Sequence, residues 1–333
     1  MMKDEPQNEI GNRGAFDAGL SFIIHHFSFI VVLTEISALA IGIMSCTLAP
    51  SARLGGGVIE IGRDGTSPGR FHFPRVVVVA PNSDLIVIDR TGRIQRLAPE
   101  GTCRAVWRVP DAVNGTPTGA TFDRNGDLLV ADTHYSRILR YSSDGTTHTQ
   151  FGRYGDGPGE MIYPQDVAVD RDGNLYVASY GGRDKIIKFR SDGTFIKEWG
   201  ESGEGPGQFH RPMALAMRGE GEIVVADSCN HRVQVFDLEG RFVEMLGGVG
   251  REKGKLNYPY DVAAGPKGEI YVCEYGNNRV TKFTRDGRAT TVGELGNGLG
   301  QLRGPWGVAL DRAGGLYVAD TYNHRILRFN EER

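Results

Sequence analysis

From residue 74 to its C-terminus the chain repeats one pattern six times. Each copy has a proline, an alternating apolar run, a short polar turn, a second apolar run ending at or near an acid, and an Arg or Lys leading into a third run. The repeat prolines are Pro74, Pro117, Pro164, Pro212, Pro259 and Pro305, at spacings of 43, 47, 48, 47 and 46 residues, and residues 164–178 and 305–320 are the fullest copies. Repetition at this period means that one supersecondary unit is copied and stacked.

The apolar residues in each unit recur at every second position. Leu128 to Asp132 followed by Arg137 to Tyr141 is an example, and this is the period of a strand with two unlike faces. No helical period is sustained after residue 57. Turns of the type Asp123-Arg124-Asn125-Gly126 separate the first two strands, and Ser143-Asp144-Gly145 and its counterparts separate the third and fourth. Their Gly and Asp supply the positive φ of tight hairpins. Each unit has room for four short antiparallel strands and none for a helix, so the predicted fold is all-β: a six-bladed β-propeller of four-stranded antiparallel blades. The sixth unit ends after its third strand, whereas Val58 to Gly62 reads as the end of a unit. An N-terminal strand is therefore expected to complete the last blade and close the ring, which removes two exposed sheet edges. The division follows: residues 1–57 are a tail, and residues 58–333 are the propeller.

Several stretches carry a family resemblance. Gly155-Asp156-Gly157-Pro158-Gly159-Glu160-Met161, Gly203 to Phe209, the Tyr-Val-Ala-Asp strand ends and Asp320-Thr321-Tyr322-Asn323-His324-Arg325 resemble the NHL repeat, over roughly residues 58–333. The resemblance implies a six-bladed propeller. It implies little about chemistry, because such a scaffold hosts enzymes, RNA-binding modules and interaction platforms alike. The region from Ile196 through Pro212 also resembles the propeller of peptidyl-hydroxyglycine amidating lyases, in which zinc-binding histidines follow repeat prolines. Met213, Tyr260 and Trp306 occupy those positions here, so the lyase histidines are missing.

Glycine accounts for 47 of 333 residues, about twice its usual share, and the excess falls in turns and interblade linkers. The formal net charge is −3, and the tail holds three basic and five acidic side chains. A nearly neutral propeller gives no electrostatic reason to bind a phosphate backbone, so no nucleic-acid partner is expected. The four cysteines, Cys46, Cys103, Cys229 and Cys273, lack the Cys-x-x-Cys spacing of a zinc or redox pair.

The tail is apolar from about residue 18 to 49 and long enough to cross a bilayer, although His25, His26 and Glu35 interrupt it. A closed propeller has no place to pack such a helix. The reading is a signal or anchor segment, with the protein membrane-anchored or exported, in a bacterial cell envelope or periplasm. Ile43-Met44-Ser45-Cys46 resembles a lipobox, which makes Cys46 a candidate lipidation site.

Propeller ligands usually enter at the channel end where the innermost strands begin. The residues just after each repeat proline are therefore the ones to compare between blades. The set Arg75, Gln165, Asp166, Tyr260, Asp261 and Trp306 breaks the repeat and offers a cation, carboxylates and aromatic faces for a small polar ligand or a protein segment. A second column, Asp89, Asp132, Ser179, Asp227, Glu274 and Asp320, recurs so regularly that it reads as structural, pairing with Arg137, Arg232, Arg279 and Arg325. The resulting expectation is a monomeric recognition scaffold for a protein or small polar ligand, with no catalytic residue assigned and no required cofactor. The alternative is a metal-dependent lyase or a lactonase-type hydrolase on the same face, using a divalent cation, calcium or zinc. For a calcium-dependent lactonase, Asp166 and Asp261 are the only evident seeds of a ligand set.

Overall fold

A computed structural model describes residues 52–55 and 57–330. The apolar tail segment and Cys46 lie outside the described residues. Among the described residues no helix is long and apolar enough to cross a membrane.

The strands form six antiparallel sheets arranged as blades. Blade 1 comprises Pro74–Val79, Leu85–Asp89, Arg93–Leu97 and Cys103–Arg108. The innermost strands of blades 2 to 6 are Gly119–Phe122, Tyr163–Val169, Pro212–Arg218, Pro259–Ala264 and Val308–Leu310. The expected closure is present: Val58–Ile61 pairs with Arg325–Phe329 as the fourth strand of blade 6. A further strand, Ala52–Gly55, pairs outside it, so the closing sheet starts six residues earlier than the sequence pattern marks.

The core lies between blades and not at the ring's axis. Each of six apolar clusters joins two neighbouring sheets. Ile61, Phe71, Val77, Val87, Ala319 and Ile326 weld blade 6 and its closing strand to blade 1. Leu129, Ala131, Met161, Val177 and Ile187 do the same for blades 2 and 3. Burial at about 25 cal/mol per Å² of apolar surface is the main favourable term in such a ring.

The acidic column is structural, as its regularity suggests. Asp89 meets Arg93 at 2.5 Å, Asp132 meets Arg137 at 2.7 Å, Asp227 meets Arg232 at 2.7 Å, Glu274 meets Arg279 at 2.7 Å and Asp320 meets Arg325 at 2.8 Å. Asp89, Asp227, Glu274 and Asp320 also accept linker amides, for example His210 N to Asp227 at 2.7 Å and Arg303 N to Asp320 at 2.7 Å, which anchors those four linkers to their blades. Blade 3 departs from the scheme at Ser179. There the buried Lys185 replaces the arginine, reaching Glu198 at 3.1 Å and the Gly157 carbonyl at 3.2 Å. The glycine-rich linkers close on themselves through one side chain each, as when Gly157 N donates to Glu160 Oε2 at 3.0 Å. Gly155 has φ +151°, and a Cβ there would lie 2.0 Å from that same carboxylate oxygen, so the linker requires glycine.

Candidate functional site

The residues following the repeat prolines form a layer at the channel mouth, and the next residues form a second layer beneath it. Arg75, Gln165, Tyr260 and Trp306 belong to the first, and Asp166 and Asp261 to the second. The six candidates are thus one strand position apart in depth.

In the upper layer the Arg75 guanidinium lies over the Trp306 ring at 4.4 Å. Tyr260 stacks on Tyr275 at 4.6 Å and meets the edge of Trp306 at 4.6 Å. Tyr275 and Tyr322 share a hydroxyl contact of 3.1 Å, and Phe73 sits edge-on to Tyr322 at 5.8 Å. Arg90 covers Phe73 at 5.3 Å, and Arg211 covers Tyr180 at 5.2 Å. Arg75, Arg90 and Arg211 make no ion pair among the described residues. Burial, then repulsion from Arg90, pulls the Arg75 guanidinium down to about 10, with a further lowering from Arg211. It remains charged at neutral pH. Arg75 Nε, Arg211 Nε and Trp306 Nε1 are buried with no acceptor. An unpaired buried donor costs about 1–3 kcal/mol, so an acceptor bound at this mouth would gain from satisfying these three.

Gln165 behaves differently. It is buried and turned to its own surroundings, its Nε2 donating to the Tyr163 carbonyl at 3.4 Å, while its backbone carbonyl accepts the Thr118 hydroxyl at 2.9 Å. It secures the innermost strand and offers the mouth little.

The lower layer lines a channel cavity of about 290 Å³ whose remaining walls are Val, Ala, Leu, Met, Gly and Thr. Both aspartates sit where the strand pairing slips, between Pro164 and Asp166 and between Pro259 and Asp261, and the bulge turns their side chains inward. Each carboxylate also crosses to the next blade: Asp166 Oδ2 accepts Leu215 N at 2.8 Å, and Asp261 Oδ2 accepts Val308 N at 2.7 Å. Gly119 leaves the room that Asp166 fills, since a Cβ there would lie 2.3 Å from Asp166 Oδ1. Burial pushes Asp261 up to about 7, against the pull of the Val308 and Val262 amides. Burial first, and then the Asp261 charge, raise Asp166 well above the carboxylate range. Asp261 is surrounded by protein yet touches the lumen, which is why it keeps some exposure.

Asp166 and Asp261 alone do not complete a divalent-cation site at this end of the channel. The mouth is cationic, and the two carboxyls spend oxygen atoms on backbone amides while burial disfavours their charged forms. The lone carboxylate pair therefore provides no calcium cage, which would take six to eight oxygens.

The sequence reading missed Arg211, Tyr275, Tyr322, Phe73, Arg90 and Tyr180. They occupy two other columns, the residue before each repeat proline and the last or first residues around the end of each second strand. A signal was present, because those columns also break the repeat.

Comparison with known proteins places the architecture. The family profile described as SMP-30/Gluconolactonase/LRE-like region matches residues 76–298, and the NHL repeat profile matches residues 302–329. The chain is 36% identical over 55 residues to Protein brain tumor of Drosophila melanogaster, which is 16% of this chain and 5% of that protein. It therefore spans only a small part of that relative's length. Among solved structures it is similar to an auxiliary nutrient binding protein from Bacteroides ovatus, with TM-score 0.64, 17% identity and coverage of 83% of this chain and 76% of the other. It is also similar to a gluconolactonase from Xanthomonas campestris, with TM-score 0.61, 15% identity and coverage of 87% and 98%. At these identities the likeness is one of fold.

Proposed function

We propose that this chain, which belongs to the SMP-30/Gluconolactonase/LRE-like family, recognises a small oxygen-rich anion, of the sugar-acid class, at the arginine and aromatic mouth of its channel. The observation that carries this reading is Arg75, a half-buried guanidinium that lies over the Trp306 ring, with its Nε beside two other donors, all three without an acceptor among the described residues. A carboxylate would satisfy such donors in charge-assisted bonds. The faces of Tyr260 and Trp306 suit the C–H face of a sugar ring, and the exposed Tyr258 and Tyr322 border the entrance. Scaffold binding of a protein through an acidic side chain would use the same donors.

Trp306 fluorescence, titrated with gluconate and with neutral glucose, tests the reading. Saturable quenching by gluconate alone, lost in Arg75→Met and Arg211→Met, is expected. Equal response to the neutral sugar, or none to either, would refute anion recognition.

One observation favours a second reading, lactone hydrolysis: Asp261, pushed to about 7, lies one strand position below the mouth. As a general base it would take a proton from water attacking the lactone carbonyl, while Arg75 steadies the oxyanion. The ring C–O bond then breaks, and the proton passes to the departing alkoxide. Gluconolactone consumption above its spontaneous rate, rising with pH through about 7 and lost in Asp261→Asn, is the expected result. Rates that match the spontaneous reaction across that range would remove the hydrolase.

The apolar stretch of the tail supports export or membrane anchoring, and lipidation at Cys46 is part of that proposal. Fractionation of the full chain and mass analysis of its N-terminus test both. A full-length protein in the soluble cytoplasmic fraction would refute them.

A further inference from the structure

The interblade seams share a device that explains two histidines and leaves two other residues unexplained. At four seams a side chain from the turn region after one blade's second strand accepts the amide of the residue before the next repeat proline. Asn278 Oδ1 takes Gly304 N at 2.8 Å, Asp184 Oδ2 takes Arg211 N at 2.7 Å, His231 Nδ1 takes Tyr258 N at 3.1 Å and His324 Nδ1 takes Phe73 N at 3.2 Å. His324 is thus accounted for. Asp64 and His72, which flank it on the linker into blade 1, are not.

Their counterparts show how unusual they are. Asp64 forms the bridge position that is Tyr154, Ser202, Val249 and Leu295 in the other linkers. The residue after each bridge partner is His72 here and Ile162, His210, Asn257 or Arg303 elsewhere. Only the ring-closing seam places a metal-ligating side chain at all three positions. Asp64 Oδ1 lies 3.3 Å from His72 Nδ1 and 3.1 Å from His324 Nδ1, and one ligand atom from each residue falls within 4.8 Å of the others. A tetrahedral ion with bonds of about 2.0–2.1 Å spaces its ligands about 3.3 Å apart, so two of the three edges are already set. His324 Nδ1 also faces incompatible demands. Neutral, its one Nδ1 lone pair serves the Phe73 amide and leaves the Asp64 oxygen 3.1 Å away with no proton between them. Protonated, it satisfies Asp64 and strands the amide. A cation between nitrogen and oxygen removes the repulsion and leaves the amide to water.

We propose that Asp64, His72 and His324 form a divalent transition-metal site of the zinc class that clasps the seam where the propeller closes. Two imidazoles and one carboxylate favour zinc over calcium. The fourth position is open to water, since Asp64 and His72 reach the surface. The clasp joins Asp64 and His72, on the linker before the first blade, to His324 on the turn of the last. It adjoins the mouth through Phe73, which lies 4.2 Å from the His324 ring and beneath Arg90, but its three ligand atoms are none of the mouth's donors, so the clasp does not depend on the mouth taking an anion.

The test uses the full chain, stripped with a chelator, then dialysed against zinc and separately against cobalt as a spectroscopic probe. One zinc per chain, a saturable rise in melting temperature and the strong visible bands of tetrahedral cobalt are expected, with no response to calcium. Asp64→Ala and His72→Ala should each weaken zinc at least tenfold while leaving the metal-free melt unchanged. His324→Asn retains an amide acceptor, as Asn278 does at its own seam, and should weaken zinc by as much. Less than stoichiometric zinc, or zinc affinity unchanged in all three variants, would overturn the proposal.

Discussion

The propeller holds two sets of arginines in opposite states. Arg93, Arg137, Arg232, Arg279 and Arg325 open third strands, and each meets an acid at 2.5–2.8 Å. Arg75, Arg90 and Arg211 gather at the mouth, meet no acid among the described residues, and rest on Trp306, Phe73 and Tyr180. The first set recurs with the blade and is saturated within it. The second breaks the repeat, and in Arg75 and Arg211 it leaves a buried Nε donor unmet. In a repeat protein, then, a residue that obeys the repeat is explained by the blade, and one that violates it, with its donors unmet, has to be explained by something outside the blade.

The largest effect should come from breaking a saturated pair. Asp227→Ala would leave the buried Arg232 without its counter-ion and the His210 amide without its acceptor. Removing one partner of a buried pair costs about 3–5 kcal/mol, readable as a fall in the urea midpoint. A loss below about 1 kcal/mol would place this column with ordinary surface pairs, which are worth that little.

How much of this was legible depends on range. The strand period, the hairpin turns and the ring closure by Val58–Ile61 rest on local patterns, so they could be read from the residues. The pairing of Asp227 with Arg232 could too, because the partners are five residues apart. Arg75, Tyr260 and Trp306 were found by comparing one column across blades. Their depth relative to Asp166 and Asp261 was not, because the bulge after Pro164 and Pro259 is a property of the backbone that no side chain announces. Arg211 and Tyr322 escaped because they reach the mouth from columns that were not compared. The closing seam was illegible for a different reason: Asp64, His72 and His324 meet only once the ring has closed.

The lower layer lies between the two extremes, because its carboxyls are hydrogen-bonded yet disfavoured as anions. Asp261 is raised to about 7 in the folded chain, above its value when unfolded. Between the two values the folded state binds the extra proton, so this group's contribution to stability declines as pH rises from about 4 to about 7. Asp261→Asn keeps an oxygen for the Val308 amide and removes the titration. It should be more stable than the parent at pH 8 by on the order of 2 kcal/mol, with the decline at least halved. Denaturant melts at pH 5 and pH 8 check this. Parallel pH dependence in parent and variant would show that the buried carboxyl is not the source.

The smallest effect on stability should come from the residue with the largest proposed role. Arg75 forms no ion pair among the described residues, and its buried Nε lacks a partner, so the fold gains little from its charge. Arg75→Met keeps an unbranched stem over Trp306 and removes both the repulsion from Arg90 and the unmet donor. Relief of those costs and loss of the ring contact, about 0.5–2 kcal/mol for a cation over an aromatic face, nearly cancel. The stability change should therefore stay within about 1 kcal/mol of zero, while gluconate quenching disappears. Stability falling as far as in Asp227→Ala would mean that Arg75 belongs with the saturated set, and the distinction between the two sets of arginines would fail.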